Sequence, residues 1–500
     1  MNSDRAIQDI KIIEQSIKDL EHILALLSWD QETGMPEAAA GDRARQMGMI
    51  QDKLTLLLQD PGWPEWLSYL QENGDEQVQM WYRLLNRRYK EYQVLPPDFM
   101  TRFVEAGALA RESWLKARDK DDFQIFAPAL KFMVTLLQER CGYSDLKDEP
   151  YDVLLDIYEP GMKASVMEVL FDRMESDLSP LIDLGVKNTS TLDCLHGRKI
   201  PLSVQKRISV RVLEDMGYDF KAGRLDFSVH PFTTTLGSRD IRVTTAFDEN
   251  AFFSGLSSTI HEGGHGLYEQ NLPPAWYGTI VSEACSLGFH ESQSRLWENI
   301  IGRSQAFCVY LKRIIEQEMS NQNRDINIDI DIDELFQNMN RVERSLIRVN
   351  ADELTYNQHI FLRFRLERAL INGTLQVDDL SNAWDNESFK LLGIQNQNDL
   401  SGILQDIHWS SGDMGYFPTY TLGNLYSAQI WKQLRHDLRD VDFQIEQGQF
   451  GDILKWLKEH IHSKGALYSS TELMRSLSGS DPDSSSFIDY LEEKQKELYA

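Results

Sequence analysis

His261-Glu262-Gly263-Gly264-His265 sets two imidazoles four residues apart around a glutamate. On a helix, positions four apart differ by about 40° around the axis, so both rings reach one cation while the carboxylate between them projects at its edge. Two imidazoles and a base from a single turn suit a divalent metal, zinc first, that activates water for attack on a carbonyl. Such a centre needs a third protein ligand and an open position for water. Glu291 is the candidate, and its neighbour His290 is the alternative. The two point about 100° apart on a helix, so at most one of them reaches the metal.

Both histidines share a face only if their segment is helical. Asp248 or Asn250 can cap that helix, Phe253, Leu256, Ile260 and Leu267 form its apolar stripe, and Ser254, Ser258, His261, His265 and Tyr268 form its polar face. Gly263, Gly264 and Gly266 each cost on the order of 1 kcal/mol relative to Ala in a helix interior. They are expected where another backbone or a substrate approaches closely. Around Glu291, the residues Cys285, Leu287, Leu296 and Ile300 can face a core while the carboxylate faces the neighbouring helix.

Upstream, from Asp226 to Asp248, the texture changes to Ser, Thr, Val and Phe. FSVHPFTTTL and RDIRVTTAF, joined by Gly237-Ser238, predict a β-hairpin or small sheet, the one convincing strand region. Helical periodicity rules elsewhere, beginning with Ile7, Ile10, Ile13 and Ile17 and continuing to Leu20, Leu24 and Leu27. It breaks at the Leu95-Pro96-Pro97 turn, at Asn271 to Pro274 and around Ser410 to Pro418. The run IDIDIDELF from Ile328 reads as a solvated helix start. With no linker or fixed-period repeat, the expectation is one domain over 1–500, mainly α, with a small sheet beside its middle. A helical N-terminal part of about 1–200 covers a catalytic core of about 201–500.

Composition excludes several classes of partner. The 78 Asp and Glu against 51 Lys and Arg give a net charge of −27, which repels nucleic acid and anionic membrane surfaces. The start MNSDRAIQDI lacks the apolar run of a secretory signal and no window reads as a membrane span, so a cytoplasmic address is expected. Cys141, Cys194, Cys285 and Cys308 lie far apart and read as free buried thiols.

With these residues in place, the chain resembles the carboxypeptidase Taq family, thermostable zinc carboxypeptidases of bacteria and archaea. Six short signatures occur in order: HPF at His230 to Phe232, DxRxT at Asp240 to Thr244, HExxH at His261 to His265, HESQ at His290 to Gln293, IRxxAD at Ile347 to Asp352, and GxxQDxHW at Gly402 to Trp409. The likeness runs from SWDQETGMP at Ser28 to GYFPTYTLG ending at Gly423. It implies a largely helical, neurolysin-like fold with a deep central cleft, zinc on the cleft floor, and a homodimer. It also implies His261, His265 and Glu291 as zinc ligands and Glu262 as general base. Cobalt would suit the same His₂Glu set.

Tyr416 and Tyr420 lie in a segment like the tyrosine loop of the neurolysin group. Tyr420 is the first choice for a phenol donor to the oxyanion, and His408 is the second. Removing C-terminal residues also requires recognition of a carboxylate, for which a guanidinium is suited. Arg348 is the candidate, although its i,i+4 spacing to Asp352 fits an ordinary helical salt bridge as well. Arg242 beside Asp240 either holds the substrate backbone or stitches the hairpin. His230, extended before Pro231, either meets substrate or is a plain sheet residue. The Asp406 and His408 pair either orients an imidazole or braces the fold. The expected activity is a zinc metallocarboxypeptidase with broad preference for peptides. The alternatives are an oligopeptidase cutting internal bonds, and a noncatalytic helical scaffold, against which the retained Glu262, both histidines and Glu291 speak.

Overall fold

In the computed structural model, residues 3–96, 98–145, 148–190, 193–195, 197–322 and 330–499 are described. Four helices open the chain: α1 (Ser3–Thr33), α2 (Ala40–Leu58), α3 (Trp63–Glu72) and α4 (Glu76–Gln93). The stripe that predicts α1 delivers Ile10 and Ile17 to an apolar cluster with Leu54, Trp63, Leu70 and Trp81. Ile280 and Val281, far along the chain, complete that cluster. Glu14 fixes the join, accepting Trp81 Nε1 at 2.7 Å and the Ile280 amide at 2.9 Å. Glu283 adds ion pairs with Lys18 and with Arg88.

Five helices follow: α5 (Phe99–Lys120), α6 (Ala127–Gly142), α7 (Pro150–Tyr158), α8 (Ala164–Asn188) and α9 (Leu202–Met216). Pro128 and Pro150 sit in the first turns of α6 and α7, where no intrahelical N–H is required. These helices share one large core with everything downstream, from Phe99 to Leu498, so the seam in apolar packing falls after α4. Cys141, Cys194, Cys285 and Cys308 are buried and unpaired, as their spacing predicts.

The strand region forms a three-stranded sheet of β1 (Gly223–Phe227), β2 (Thr233–Gly237) and β3 (Asp240–Thr245) in the order β1-β3-β2. β2 and β3 make the expected antiparallel hairpin, while β1 pairs in parallel with β3. Ile241 and Val243 of the central strand are fully buried, and β2 is left as the edge beside the HExxH helix.

Then come α10 (Phe252–Gln270) and α11 (Leu287–Arg295), the latter continuing into a π-helical turn, Leu296–Ile301. Downstream helices Tyr356–Ile371 and Pro418–Asp437 back the same region. The acidic run does start a helix, Ile332–Met339, with Asp331 accepting the amides of Asp333 and Glu334; positions 328 and 329 lie outside the described residues, as does Pro97. Among the described residues, no helix is long and apolar enough to cross a membrane.

Candidate active site

The HExxH segment is helical, but it begins differently from the expectation. Ala251 occupies the N-cap and no side chain caps α10. Asp248 instead folds back on Asn250, accepting its amide at 2.8 Å and its side chain at 2.9 Å. Further along, buried Thr259 donates to the Gly255 carbonyl at 2.8 Å, a bond within the helix that leaves the first-turn amides uncapped. Tyr268 departs from the predicted polar face as well. It is fully buried, its ring 5.6 Å from His290 and 5.0 Å from His462, because α11 covers that side of α10.

The glycines explain how α11 comes so close. A Cβ on Gly264 would lie 2.7 Å from the Gln293 carbonyl oxygen and 2.7 Å from Ser294 Cα, so only glycine admits the α11 backbone at this level. Gly423 performs the same service from the other side, since a Cβ there would lie 2.4 Å from Glu291 Cγ. Glu291 is thereby held between two helices, buried and facing the histidines.

His261 Nε2 lies 3.6 Å from Glu291 Oε2, and His265 Nε2 lies 3.4 Å from the same atom. Two donors about 2.1 Å from a tetrahedral zinc are themselves about 3.4 Å apart, so the three side chains fit one ion. They are the group able to hold a metal among the described residues. His290 is not part of it. Its Nε2 turns to Glu269 at 2.9 Å while its ring stacks on His265 at 4.4 Å, so it does not join the His261, His265 and Glu291 group.

The charge around the rings suits a cation. Burial works to lower His261, yet Glu291, Glu298 and Glu262 outweigh it and raise the ring to about 9. A divalent ion would replace the proton that those carboxylates hold there. Burial and the neighbouring His290 bring His265 down to about 3, and its buried Nδ1 has no hydrogen-bond partner. His261 Nδ1 is bonded to Glu298 at 2.9 Å, which leaves Nε2 for the metal. Glu298 sits on the π-helical turn, is bound by Arg295 and Arg303, and is held down at about 2 by its charged partners against burial.

Glu262 is buried beside the ligands. Burial raises its pKa, while His261 and the Thr233 hydroxyl, 2.7 Å from Oε2, oppose the rise. Thr233 follows HPF directly on the edge strand, and Phe232 N is pinned at 2.9 Å by Thr244 Oγ1. That gives HPF and DxRxT a shared task of aligning Thr233 with the base. His230 itself is exposed and hydrogen-bonds through its carbonyl to Ser228 Oγ. Arg242 grips Asp240 with two bonds of 2.8 Å and lies 4.4 Å from the Trp29 ring of α1, stitching strand to helix.

Arg348 lies in a short 3₁₀ turn rather than an α-helix, so the i,i+4 bridge to Asp352 does not form. Asp352 instead accepts the Glu343, Leu354 and Thr355 amides. The Arg348 guanidinium donates to Asp406 at 2.8 and 3.1 Å and to the Tyr356 hydroxyl at 2.8 Å, and lies 5.2 Å from the Tyr420 ring. Fully buried Arg363 binds the same carboxylate. Asp406 is consumed by two arginines and does not orient His408. Burial brings His408 down to about 4, with its ring against Tyr416 at 5.5 Å and Phe417 at 4.6 Å and its Nδ1 unpartnered. Tyr416 and Tyr420 stand 5.3 Å apart, their phenols raised by burial and by the Glu291 charge, Tyr416 to about 12. Arg295, 4.7 Å from the Tyr356 ring, connects this group to Glu291.

Sequence reasoning missed Glu298, Arg295, Thr233, Tyr356 and Gly423. The first two carried a signal, since they follow Glu291 at four and seven residues on one helical face. A cavity of ≈ 860 Å³ opens beside the site, between α1 and the α10 to α11 segment, with Thr235, Glu269 and His290 in its wall. That volume accommodates a peptide segment.

Known proteins share both the sequence and this framework. The profile of the carboxypeptidase Taq (M32) metallopeptidase family matches residues 9–495. The chain is 36% identical over 519 residues to thermostable carboxypeptidase 1 of Thermus thermophilus, covering 100% of both. It is 35% identical over 487 residues to carboxypeptidase 1 of Bacillus subtilis, covering 97% of this chain and 96% of that one. The crystal structure of the M32 carboxypeptidase from Deinococcus radiodurans superposes with a TM-score of 0.95 at 33% identity, covering 99% of each chain. The chain belongs to the carboxypeptidase Taq (M32) metallopeptidase family and is a metallocarboxypeptidase, a hydrolase acting on peptides.

Proposed function

We propose that the protein uses zinc to remove C-terminal residues one at a time from peptides, with broad side-chain preference. The observation that carries this reading is the convergence of His261, His265 and Glu291 beside the buried carboxylate of Glu262. Zinc held by those three residues would acidify a water and polarise the scissile carbonyl, and cobalt would serve the same ligands.

Glu262 takes the proton of the attacking water and returns it to the leaving amine. Its raised pKa favours the first transfer, since a more basic carboxylate takes the water proton more readily. Tyr420 donates its phenol to the developing oxyanion, and His408 is the second choice. Arg348 binds the terminal carboxylate. Two guanidiniums share the single charge of Asp406, so the cluster keeps a net positive charge among the rings of Tyr356, Phe417 and Tyr420. Two of the five Arg348 N–H groups also remain beyond the three bonded to Asp406 and Tyr356. Tyr416, Arg242 and His230 complete the substrate walls. Four unpaired buried thiols support a cytoplasmic setting, and the family resemblance supports a homodimer of single-domain chains.

Two variants test the assignment. Glu262→Gln should keep zinc and fold while turnover falls roughly a hundredfold to ten-thousandfold, because an amide preserves shape and cannot accept the proton. Glu291→Ala should lose zinc and activity together. Metal loss in the first variant, or full zinc content with normal activity in the second, would refute these roles.

A further inference from the structure

Arg295 is a cation built into the metal environment. Its Nε donates to Glu291 Oε1 at 2.6 Å, and its Nη1 reaches Glu298 Oε2 at 3.3 Å. It therefore touches both the carboxylate of the ligand group and the carboxylate that orients His261. The Tyr356 ring, 4.7 Å away, forms its floor. Arg303, the other cation here, spends its contacts on Glu298 Oε1 at 3.2 Å and the Met339 carbonyl at 3.4 Å, and does not reach Glu291.

The two oxygens of Glu291 thus have different company. Oε1 belongs to the arginine. Oε2 lies 3.6 Å from His261 Nε2 and 3.4 Å from His265 Nε2, and it accepts the Ser294 hydroxyl at 3.0 Å. A carboxylate can ligate through one oxygen or both, and cations that favour large oxygen shells draw in the second. An oxygen committed to a buried guanidinium N–H cannot be drawn in without leaving that positive charge short of its partner. Resting on the zinc reading above, we infer that Arg295 is a positioning residue that holds Glu291 to one-oxygen ligation. The protein donor set then stays at three atoms with one position open, and the site prefers ions content with four ligands, zinc and cobalt, over manganese.

The test compares Arg295→Gln and Arg295→Lys with the wild type, each purified, stripped of metal and reloaded. Cobalt(II) serves as the spectroscopic probe, because four-coordinate cobalt absorbs visible light several-fold more strongly than five- or six-coordinate cobalt. Both variants should lose most of that intensity, and their preference for zinc over manganese in competition titrations should fall about 10- to 100-fold. Lysine should fail to rescue, since a single ammonium keeps the charge but not the in-plane N–H fork. Folded variants with the wild-type cobalt spectrum and metal preference would overturn the inference, and so would full restoration by lysine, which would reduce Arg295 to a counter-charge. Should neither variant fold, zinc-edge X-ray absorption or a crystal structure of the zinc-loaded wild type decides. One Glu291 oxygen at bonding distance, with Arg295 on the other, supports the inference, and two bound oxygens overturn it. A wild-type protein that takes up no zinc would instead refute the zinc reading itself.

Discussion

Opposing surroundings prepare each reacting group at the scale of single residues. Glu262 is pushed toward the neutral form by burial and pulled back by His261 and Thr233. A hydroxyl donating to a carboxylate favours its charged form, so Thr233→Val should raise the Glu262 pKa further. With Glu262 as the proposed base, activity would need its ionised form and be lost as pH falls through that pKa. The acid limb of kcat/KM should therefore move to higher pH in the variant, leaving the alkaline limb in place. A pH profile with an unmoved acid limb would remove Thr233 from this role. Arg348→Ala should lower kcat/KM on free-carboxylate peptides by the value of a charge-assisted hydrogen bond, about 1.5 to 3 kcal/mol, or roughly tenfold to a hundredfold and more. C-terminally amidated peptides should be poor substrates for the wild type and lose little further in the variant, because the contact was never available to them. If the two changes multiply independently, the terminal carboxylate is held elsewhere, and Arg242 is next to be tried in the same cycle.

Elements bring these residues together through close approaches that only some sequence signals reveal. The run of glycines in HEGGHG is legible as a place where another backbone comes near, and Gly264 against Gln293 and Ser294 is that place. Gly423 carries no such local hint, because its partner Glu291 is distant in sequence. Nor does the Arg348 to Asp406 pair, 58 residues apart, whose local rival Asp352 has the helical spacing and the wrong backbone. The hairpin of β2 and β3 follows from local pattern, whereas the parallel pairing of β1 with β3 is a nonlocal contact that alternation does not encode. Glu298 and Arg295 had the right spacing, but charged residues on a helix face read alike whether they orient a ligand or meet water. The glycines offer a contrast at neighbouring positions. A Cβ on Gly263 would meet the movable tip of Leu213, and one on Gly264 would meet backbone. Gly264→Ala should destabilise by about 1–3 kcal/mol and weaken zinc binding by parting α10 from α11. Gly263→Ala should do much less, since its strain relaxes and alanine favours the helix by about 1 kcal/mol. Thermal unfolding with and without zinc checks both, and equal zinc affinity in Gly264→Ala and wild type would contradict the account.

Across the whole molecule, the helices foreseen by periodicity assemble into a division that periodicity does not mark. The N-terminal helices α1 to α4 keep their own apolar cluster and clasp Ile280 and Val281, in the segment joining α10 to α11. That grip sets α1 across from Glu269 and His290 and shapes the ≈ 860 Å³ cavity beside the candidate metal centre. In the proposed function, this cavity would take the body of a peptide and the positive cluster around Arg348 its end, on a molecule of net charge −27. On that reading, these parts act together as a zinc exopeptidase on the C-terminus. Its most direct test is to incubate the zinc-loaded protein with a mixed peptide library, half with free and half with amidated C-termini, and to read the products by mass spectrometry over time. The account predicts ladders of products shortened by one C-terminal residue at a time, from the free-carboxylate half, suppressed by chelation and absent in Glu262→Gln. Internal cleavage that is indifferent to amidation would contradict it and make the protein an oligopeptidase.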